Sequence, residues 1–446
     1  MIPTIESFMH RLVQRDPLQM EFHQAVEEVL NSVWSQLEGS ESYAVEALLE
    51  RLVEPERIIQ FRVAWVNDMG QVEVNRGFRV QMNSALGPYK GGLRFHPTVN
   101  LGILKFLAFE QVFKNALTGL PLGAGKGGAD FNPRGRSDGE VMRFCQAFMA
   151  ELYRHIGNDV DVPAGDIGVG AREIGFLFGM YKKLANQFSG VLTGKGESFG
   201  GSLLRPEATG YGLIYFVEQM LLRQERELSG LRIAISGSGN VAQAALEKAK
   251  QLGASVVTVS DSGGTLYCPQ GLSDEHYQFL LELKNCRRGR LAEMAEQFGL
   301  AYFEGQNPWQ HPCDIALPCA TQNELDEKDV LQLVGNGCFC IAEGANMPVT
   351  PKALQLIKQH NLLYAPGKAS NAGGVSVSGL EMSQNAQRLY SNESTVDEQL
   401  RAIMRKIHQQ CVDHGLTKDG DVDYMEGANQ AAFAKVAEAM LAQGVV

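Results

Sequence analysis

The stretch Leu231–Gly264, LRIAISGSGNVAQAALEKAKQLGASVVTVSDSGG, limits the possible folds more than any other. It reads as an apolar strand, a glycine turn, an amphipathic helix and a second apolar strand, which is a βαβ unit. Further short apolar runs follow (CDIALPCA, GCFCIAEGAN, LLYAPG), separated by helix-like segments. Strands alternating with helices predict an α/β fold with a parallel, doubly wound sheet.

At 446 residues the chain exceeds one compact core, so a second domain is expected. Residues 1 to about 60 carry apolar positions at helical spacing, and IIQFRVAWVNDMGQVEVNRGFRVQMN alternates around Asn67–Gly70 as a hairpin would. GPYKGGLRFHP and LPLGAGKGGADF read as glycine-rich loops on either side of an apolar helix, VNLGILKFLAFEQVFKNALTG. A Gly/Ser-rich tract near residues 190–205 predicts the boundary, giving domains 1–199 and 200–426.

The net charge of −11 argues against nucleic-acid or anionic-membrane partners. No run approaches the ~20 apolar residues that span a bilayer. The amino terminus, with its early Glu6, does not resemble a signal peptide. Of eight cysteines only Cys338 and Cys340 are close, with no second pair to complete a zinc site. Reduced thiols, no metal and a cytoplasmic location are expected.

Gly237, Gly239, Asn240, Val241 and Ala242 belong to a G-x-G-x-x-A turn placed directly after a strand and opening a helix. The first glycine allows the tight turn, the second lets backbone approach a pyrophosphate, and the helix N-terminus supplies N–H donors. This predicts dinucleotide binding. Asp261 ends the next strand, where a carboxylate usually holds the ribose hydroxyls of NAD. Ser262 beside it and the cationic run from Lys284 to Arg290 favour the phosphate of NADP, and the balance leans that way.

Three lysines stand out in the first half. Lys114 lies on the apolar helix one turn from Gln111, so a cation and an amide donor can reach one carboxylate. Lys90 lies in GPYKGG, and Lys126 is flanked by Gly123, Gly125, Gly127 and Gly128. A desolvated lysine beside other cations loses its proton more readily and can serve as a base near neutral pH. Asp166, at the turn after DVPAG, is a candidate proton carrier.

Taken together, GPYKGGLRFHP, FEQVFKNALTGLPLGAGKGGAD, DVPAGDIGVG, RPEATGYG, GSGNVA, LPCATQNEL, IAEGAN and SNAGGVSVSGLEMSQN resemble the hexameric glutamate dehydrogenase family over nearly the whole chain. The resemblance implies an α/β substrate and assembly domain, a Rossmann-like domain, a cleft between them, and a last helix, 427–446, that returns to the first domain. It implies that Lys90 and Ser378 hold the substrate's distal carboxylate, and that Gln111, Lys114 and Gly165 surround the α-carboxylate. Lys126 and Asp166 take the catalytic roles. Thr209, Asn240 and Asn346 would contact the dinucleotide, and the pattern of Ser260–Ser262 with Lys284 and Arg290 is similar to that of NADP-linked members. L-glutamate, 2-oxoglutarate and ammonium are the implied reactants and a homohexamer the implied assembly. Three other readings stay open: an NAD-linked enzyme, a branched-chain or aromatic amino-acid dehydrogenase, and a non-catalytic dinucleotide-binding regulator.

Overall fold

The computed structural model describes residues 4–38 and 47–446, which fall into two compact units. The first takes Met1–Arg205, Val375–Val396 and Ala428–Val446, and the second takes Pro206–Gly374 and Asp397–Gly427. The sequence boundaries leave Val375–Val396 in the second domain. The structure ties this segment to the first unit through Glu381, which accepts from Lys195 Nζ at 2.7 Å, and through Asn385 Nδ2, which donates to Gly200 O at 2.8 Å. The carboxy-terminal segment joins the same unit, with Lys435 Nζ donating to Ala116 O at 3.1 Å.

The expected amino-terminal helices are Ile5–Arg15, Met20–Glu38 and Leu48–Val53; residues 1–3 and 39–46 lie outside the described residues. β1 (Arg57–Val66) and β2 (Val72–Asn83) then pair antiparallel. Their turn is closed by Asn67 Oδ1, which accepts from the N–H groups of Met69 and Gln71 at 3.0 Å each.

Two segments differ from expectation. GPYKGG and GAGKGG are not loops but contribute to β3 (Tyr89–Phe95) and β4 (Ala124–Ala129). With β5 (Asp161–Gly165) they complete a sheet of order β1-β2-β4-β3-β5. Glycine runs lack the bulky side chains that usually mark a strand, which is why the pattern reads as loop.

Part of the physical reason for Gly125 and Gly127 lies in Arg79. Wholly buried on β2, it reaches across the sheet to Asp161 on β5, donating from Nε at 2.9 Å and from Nη2 to the second oxygen, while Nη1 donates to Gly91 O at 3.1 Å. A Cβ on Gly125 would stand 3.3 Å from Arg79 Nη2, and one on Gly127 would stand 3.0 Å from Arg79 Cδ. A side chain runs where these residues' own side chains would have been.

Helices Asp138–Leu152 and Ala171–Ala185 close the first unit's core over Phe95 and Phe131, the first helix contributing Phe148 and Phe144, the latter stacked on Phe131 at 3.8 Å between centroids. Emptying the wholly buried Phe144 site to alanine costs about 3–5 kcal/mol by the usual cavity penalty. Helix Leu101–Leu117 packs on β4 and β2.

The second unit holds a seven-stranded sheet of order β12-β11-β10-β6-β7-β8-β9. Its strands are β6 (Arg232–Ile235), β7 (Ser255–Asp261), β8 (Gly264–Tyr267), β9 (Ala301–Glu304), β10 (Ile315–Leu317), β11 (Cys340–Ala342) and β12 (Leu363–Ala365). All pairs from β12 to β7 are parallel, and β8 runs antiparallel to both neighbours. The chain enters at β6, moves outward to β9, then returns to β10 on the other side of β6. That reversal is a topological switch point, and a crevice forms at the carboxyl ends of such strands. Among the described residues, no helix is long and apolar enough to cross a membrane.

Candidate active site

Strand geometry gathers the first unit's cations. Arg94 pairs in parallel with Gly128, so the two share a face of the sheet. Alternation places Lys90 and Gly92 on that face with Arg94, and Lys126 with Gly128. Asp166, just beyond β5, meets this row: its carboxylate accepts from Arg94 Nε at 3.0 Å and lies 3.2 Å from Lys126 Nζ. A Cβ on Gly92 would come within 2.8 Å of Asp166 Cβ, so glycine is what lets the carboxylate settle between the two cations.

The electrostatics follow from burial. Dehydration pushes the Lys126 ammonium below its ordinary pKa; Asp166 opposes this and Arg94 adds to it. Burial would raise the Asp166 carboxyl, but Lys126 and Arg94 together outweigh it and hold the group down at about 2. At neutral pH the site therefore keeps an ionised acceptor, beside a lysine whose proton burial makes easier to lose.

Lys90, at the other end of the row, is 1% exposed and donates to Val162 O at 2.9 Å and Thr193 Oγ1 at 2.6 Å. Burial pushes its pKa well below the ordinary value; nearby Arg205 adds to this and Glu381 opposes it. Arg205 Nε donates to the buried Ser378 Oγ at 2.8 Å. Two cations and two hydroxyls thus form a seat with more donors than acceptors, suited to a carboxylate.

Gln111 and Lys114 lie one turn apart on helix Leu101–Leu117, Gln111 buried and Lys114 half-buried. Gln111 Nε2 donates to Asn115 Oδ1 at 2.6 Å, and Asn115 in turn donates to Lys90 O at 3.0 Å and Gly123 O at 2.6 Å. The helix is thereby fixed to the strand carrying Lys90. Gly165 ends β5, and a Cβ there would stand 2.4 Å from Val169 O.

In the second unit, Gly237 takes φ +82°, its N–H donates to Ser260 Oγ at 2.8 Å, and a Cβ would meet Ala320 Cα at 3.2 Å. The turn is thus drawn against both β7 and the segment after β10. The space where a Gly239 Cβ would stand is open to 4 Å, and no side chain caps helix Asn240–Gln251. An open cradle over an uncapped helix N-terminus fits a pyrophosphate. Asn240 is exposed, Val241 and Thr209 are half-buried, and Asn346 accepts through Oδ1 from Asn371 Nδ2 at 3.2 Å.

Asp261 sits at the expected strand end, but its carboxylate is taken. It accepts from Gly263 N–H at 2.9 Å, from Leu291 N–H at 3.1 Å and from Lys284 Nζ at 3.1 Å. These contacts outweigh burial and hold its pKa down. Ser262 next door accepts from Arg290 Nη1 at 2.6 Å, which brings an exposed guanidinium to the end of β7.

Residues 55–183 match the Glu/Leu/Phe/Val dehydrogenase dimerisation domain, and residues 200–444 match the Glutamate/Leucine/Phenylalanine/Valine dehydrogenase family. The chain belongs to this family. It is 60% identical over 443 residues to the NADP-specific glutamate dehydrogenase of Escherichia coli (strain K12), covering 99% of both chains. It is 55% identical over 443 residues to the NAD-specific glutamate dehydrogenase of Bacteroides fragilis (strain YCH46), covering 99% of this chain and 100% of that one. Among solved structures, it superposes on Plasmodium falciparum glutamate dehydrogenase with a TM-score of 0.97 at 51% identity, covering 99% of this chain and 95% of that one.

Within this Glu/Leu/Phe/Val dehydrogenase, three neighbours of the site escape sequence reasoning: Arg94, Thr193 and Arg205. Arg94 has a usable signal, because period-two spacing aligns it with Lys90 and Gly92 once the segment is read as a strand. Thr193 and Arg205 lie in the Gly/Ser-rich tract, where nothing local distinguishes them from a linker.

Proposed function

We propose that the protein catalyses the reversible oxidative deamination of L-glutamate to 2-oxoglutarate and ammonia with NADP(H). The observation that carries this reading is the seat made by buried Lys90, Thr193 and Ser378 with half-buried Arg205, set apart from Lys126 along the sheet. Lys126 is level with Gly92, two residues from Lys90, and two strand residues span roughly 6.5 Å. That is the scale of a five-carbon diacid. An enzyme for leucine or phenylalanine has no use for a dehydrated lysine and a second cation at the far end of its substrate.

In this reading Lys90 and Ser378 hold the distal carboxylate, and Gln111, Lys114 and Gly165 hold the α-carboxylate. The dinucleotide would sit on Gly237, Gly239, Asn240 and Val241, with Thr209 and Asn346 alongside; when bound, it takes up or supplies the hydride at Cα. Lys126, as neutral amine, hydrogen-bonds the water that adds to the substrate's iminium carbon. Asp166 accepts the proton this water releases and delivers it to the amino nitrogen; as the C–N bond breaks, the carbinolamine hydroxyl gives up its proton by way of Asp166 to the departing ammonia, leaving 2-oxoglutarate and ammonium.

NADP over NAD is supported by Asp261, whose oxygens are already engaged, and by Arg290 on Ser262, a donor pair suited to a phosphate. A homohexamer is supported by the edge strand β1 and its hairpin partner, which expose Ile58, Val66, Val72 and Val74. A cytoplasmic location completes the reading. Initial rates with 2-oxoglutarate and ammonium test it: NADPH should support turnover well above NADH, and no turnover with either dinucleotide would refute the activity.

A further inference from the structure

The seat for the distal carboxylate is assembled from two separate pieces of chain. The segment Val191–Arg205 brings Thr193 and Arg205, while helix Gly373–Gln387 brings Ser378. Neither piece alone fixes the distance between the two halves.

One turn beyond Ser378 stands Glu381. Its carboxylate accepts from Lys195 Nζ at 2.7 Å, from Gly194 N–H at 2.9 Å and from Lys195 N–H at 3.4 Å. Lys195 Nζ also donates to Leu192 O. The two side chains are 1% and 0% exposed. An ion pair this dehydrated returns little net stability, because desolvation cancels most of the attraction. Its value is directional: Gly194 and Lys195 are held to one carboxylate and Leu192 to the Lys195 ammonium, so Thr193 is bracketed on both sides. One further turn along the helix, Asn385 Nδ2 donates to Gly200 O at 2.8 Å. Ser378, Glu381 and Asn385 follow i, i+3, i+7 spacing, so one helix face meets the segment throughout.

We propose that Glu381 and Lys195 are positioning residues that set substrate selectivity, holding Thr193 and Arg205 at a fixed spacing from Ser378 so that the distal carboxylate meets a preformed seat. The proposal rests on the glutamate reading above. Preorganisation of this kind lowers KM for the diacid and leaves the chemistry at Lys126 alone.

The test compares the full-length wild type with Glu381→Gln, Glu381→Asp, Lys195→Arg and the double variant K195M/E381M. The double variant removes both charges and leaves none unpaired. For each, kcat and KM are measured for 2-oxoglutarate, ammonium and NADPH, together with kcat/KM for 2-oxobutyrate, which lacks the distal carboxylate. In Glu381→Gln and the double variant, KM for 2-oxoglutarate should rise about 10- to 100-fold, the usual penalty for a slightly misplaced contact. KM for ammonium and NADPH and the saturated kcat should hold, and the preference for 2-oxoglutarate over 2-oxobutyrate should shrink by the same factor. Lys195→Arg, which keeps the pair, should retain most of the preference, and Glu381→Asp should fall between. If Glu381→Gln does not fold, the double variant carries the same expectation and Glu381→Asp the intermediate one. An unchanged KM and preference alongside a lowered melting temperature would make the pair merely structural and overturn the proposal. A wild type that does not turn over 2-oxoglutarate would instead overturn the glutamate reading.

Discussion

Both units place cations where an anion would bind, but they place them differently. In the first, Lys90 and Lys126 are 1% and 5% exposed and held by strand alternation. In the second, Arg290 is exposed and donates from Nη1 to the hydroxyl of Ser262 at the end of β7, at 2.6 Å. A buried charge acts through a low dielectric and cannot be replaced by water, whereas an exposed one is screened within about 10 Å at ordinary salt. The difference teaches where this protein should be strict and where it should be adjustable: strict toward the substrate's charges, more permissive toward the dinucleotide's.

The largest expected effect is at Lys126. Lys126→Ala should lower kcat by about 10⁴-fold, the upper range for a positioned acid–base group. Dinucleotide affinity, measured by fluorescence titration, should stay within a small factor. Retained turnover would break the contrast at its root.

Asp166→Asn comes next, with kcat down about 10³-fold. The remaining rate also carries a sign. Asp166 raises the pKa of Lys126, so its removal makes the lysine lose its proton at lower pH. The acidic limb of the rate profile should move to lower pH; a shift upward would contradict the assigned pair.

Lys90→Met should reduce kcat/KM for 2-oxoglutarate about 100-fold, matching the loss of a buried charge-assisted contact of ~2–3 kcal/mol. Rates with 2-oxobutyrate should change much less. The smallest effect is Arg290→Ala, expected to narrow the preference for NADPH over NADH by about 2- to 5-fold, as exposed charge pairs do. That effect should fade as salt rises, while the Lys90 effect should not.

The sequence exposes the two regions unequally. The second unit's parallel strands and its glycine turn follow from local patterns, because the βαβ unit is written in consecutive residues; the antiparallel β8 and β9 do not. The first unit depends on contacts between distant residues. Arg79 lies over Gly125 and Gly127 to reach Asp161, and until that crossing is known β3 and β4 look like loops. The same crossing explains why Lys90, Lys126 and Asp166 could be singled out while Arg94 could not: its role depends on strand alternation in a segment without strand character. Arg205 and Thr193 depend on a helix more than 170 positions later in the chain, for which no local pattern exists. Asp261 shows the opposite failure. The carboxylate rule locates it correctly, but Gly263, Leu291 and Lys284 already occupy its oxygens, and only the folded chain reveals this.

The most direct test compares kcat/KM for 2-oxoglutarate and 2-oxobutyrate at saturating ammonium and NADPH. Buried Lys90 and half-buried Arg205 at the distal seat predict a preference for the diacid of at least about 10³-fold, the scale of buried polar discrimination. Comparable values for the two acids would mean that the seat formed by Lys90, Thr193, Arg205 and Ser378 does not read a carboxylate.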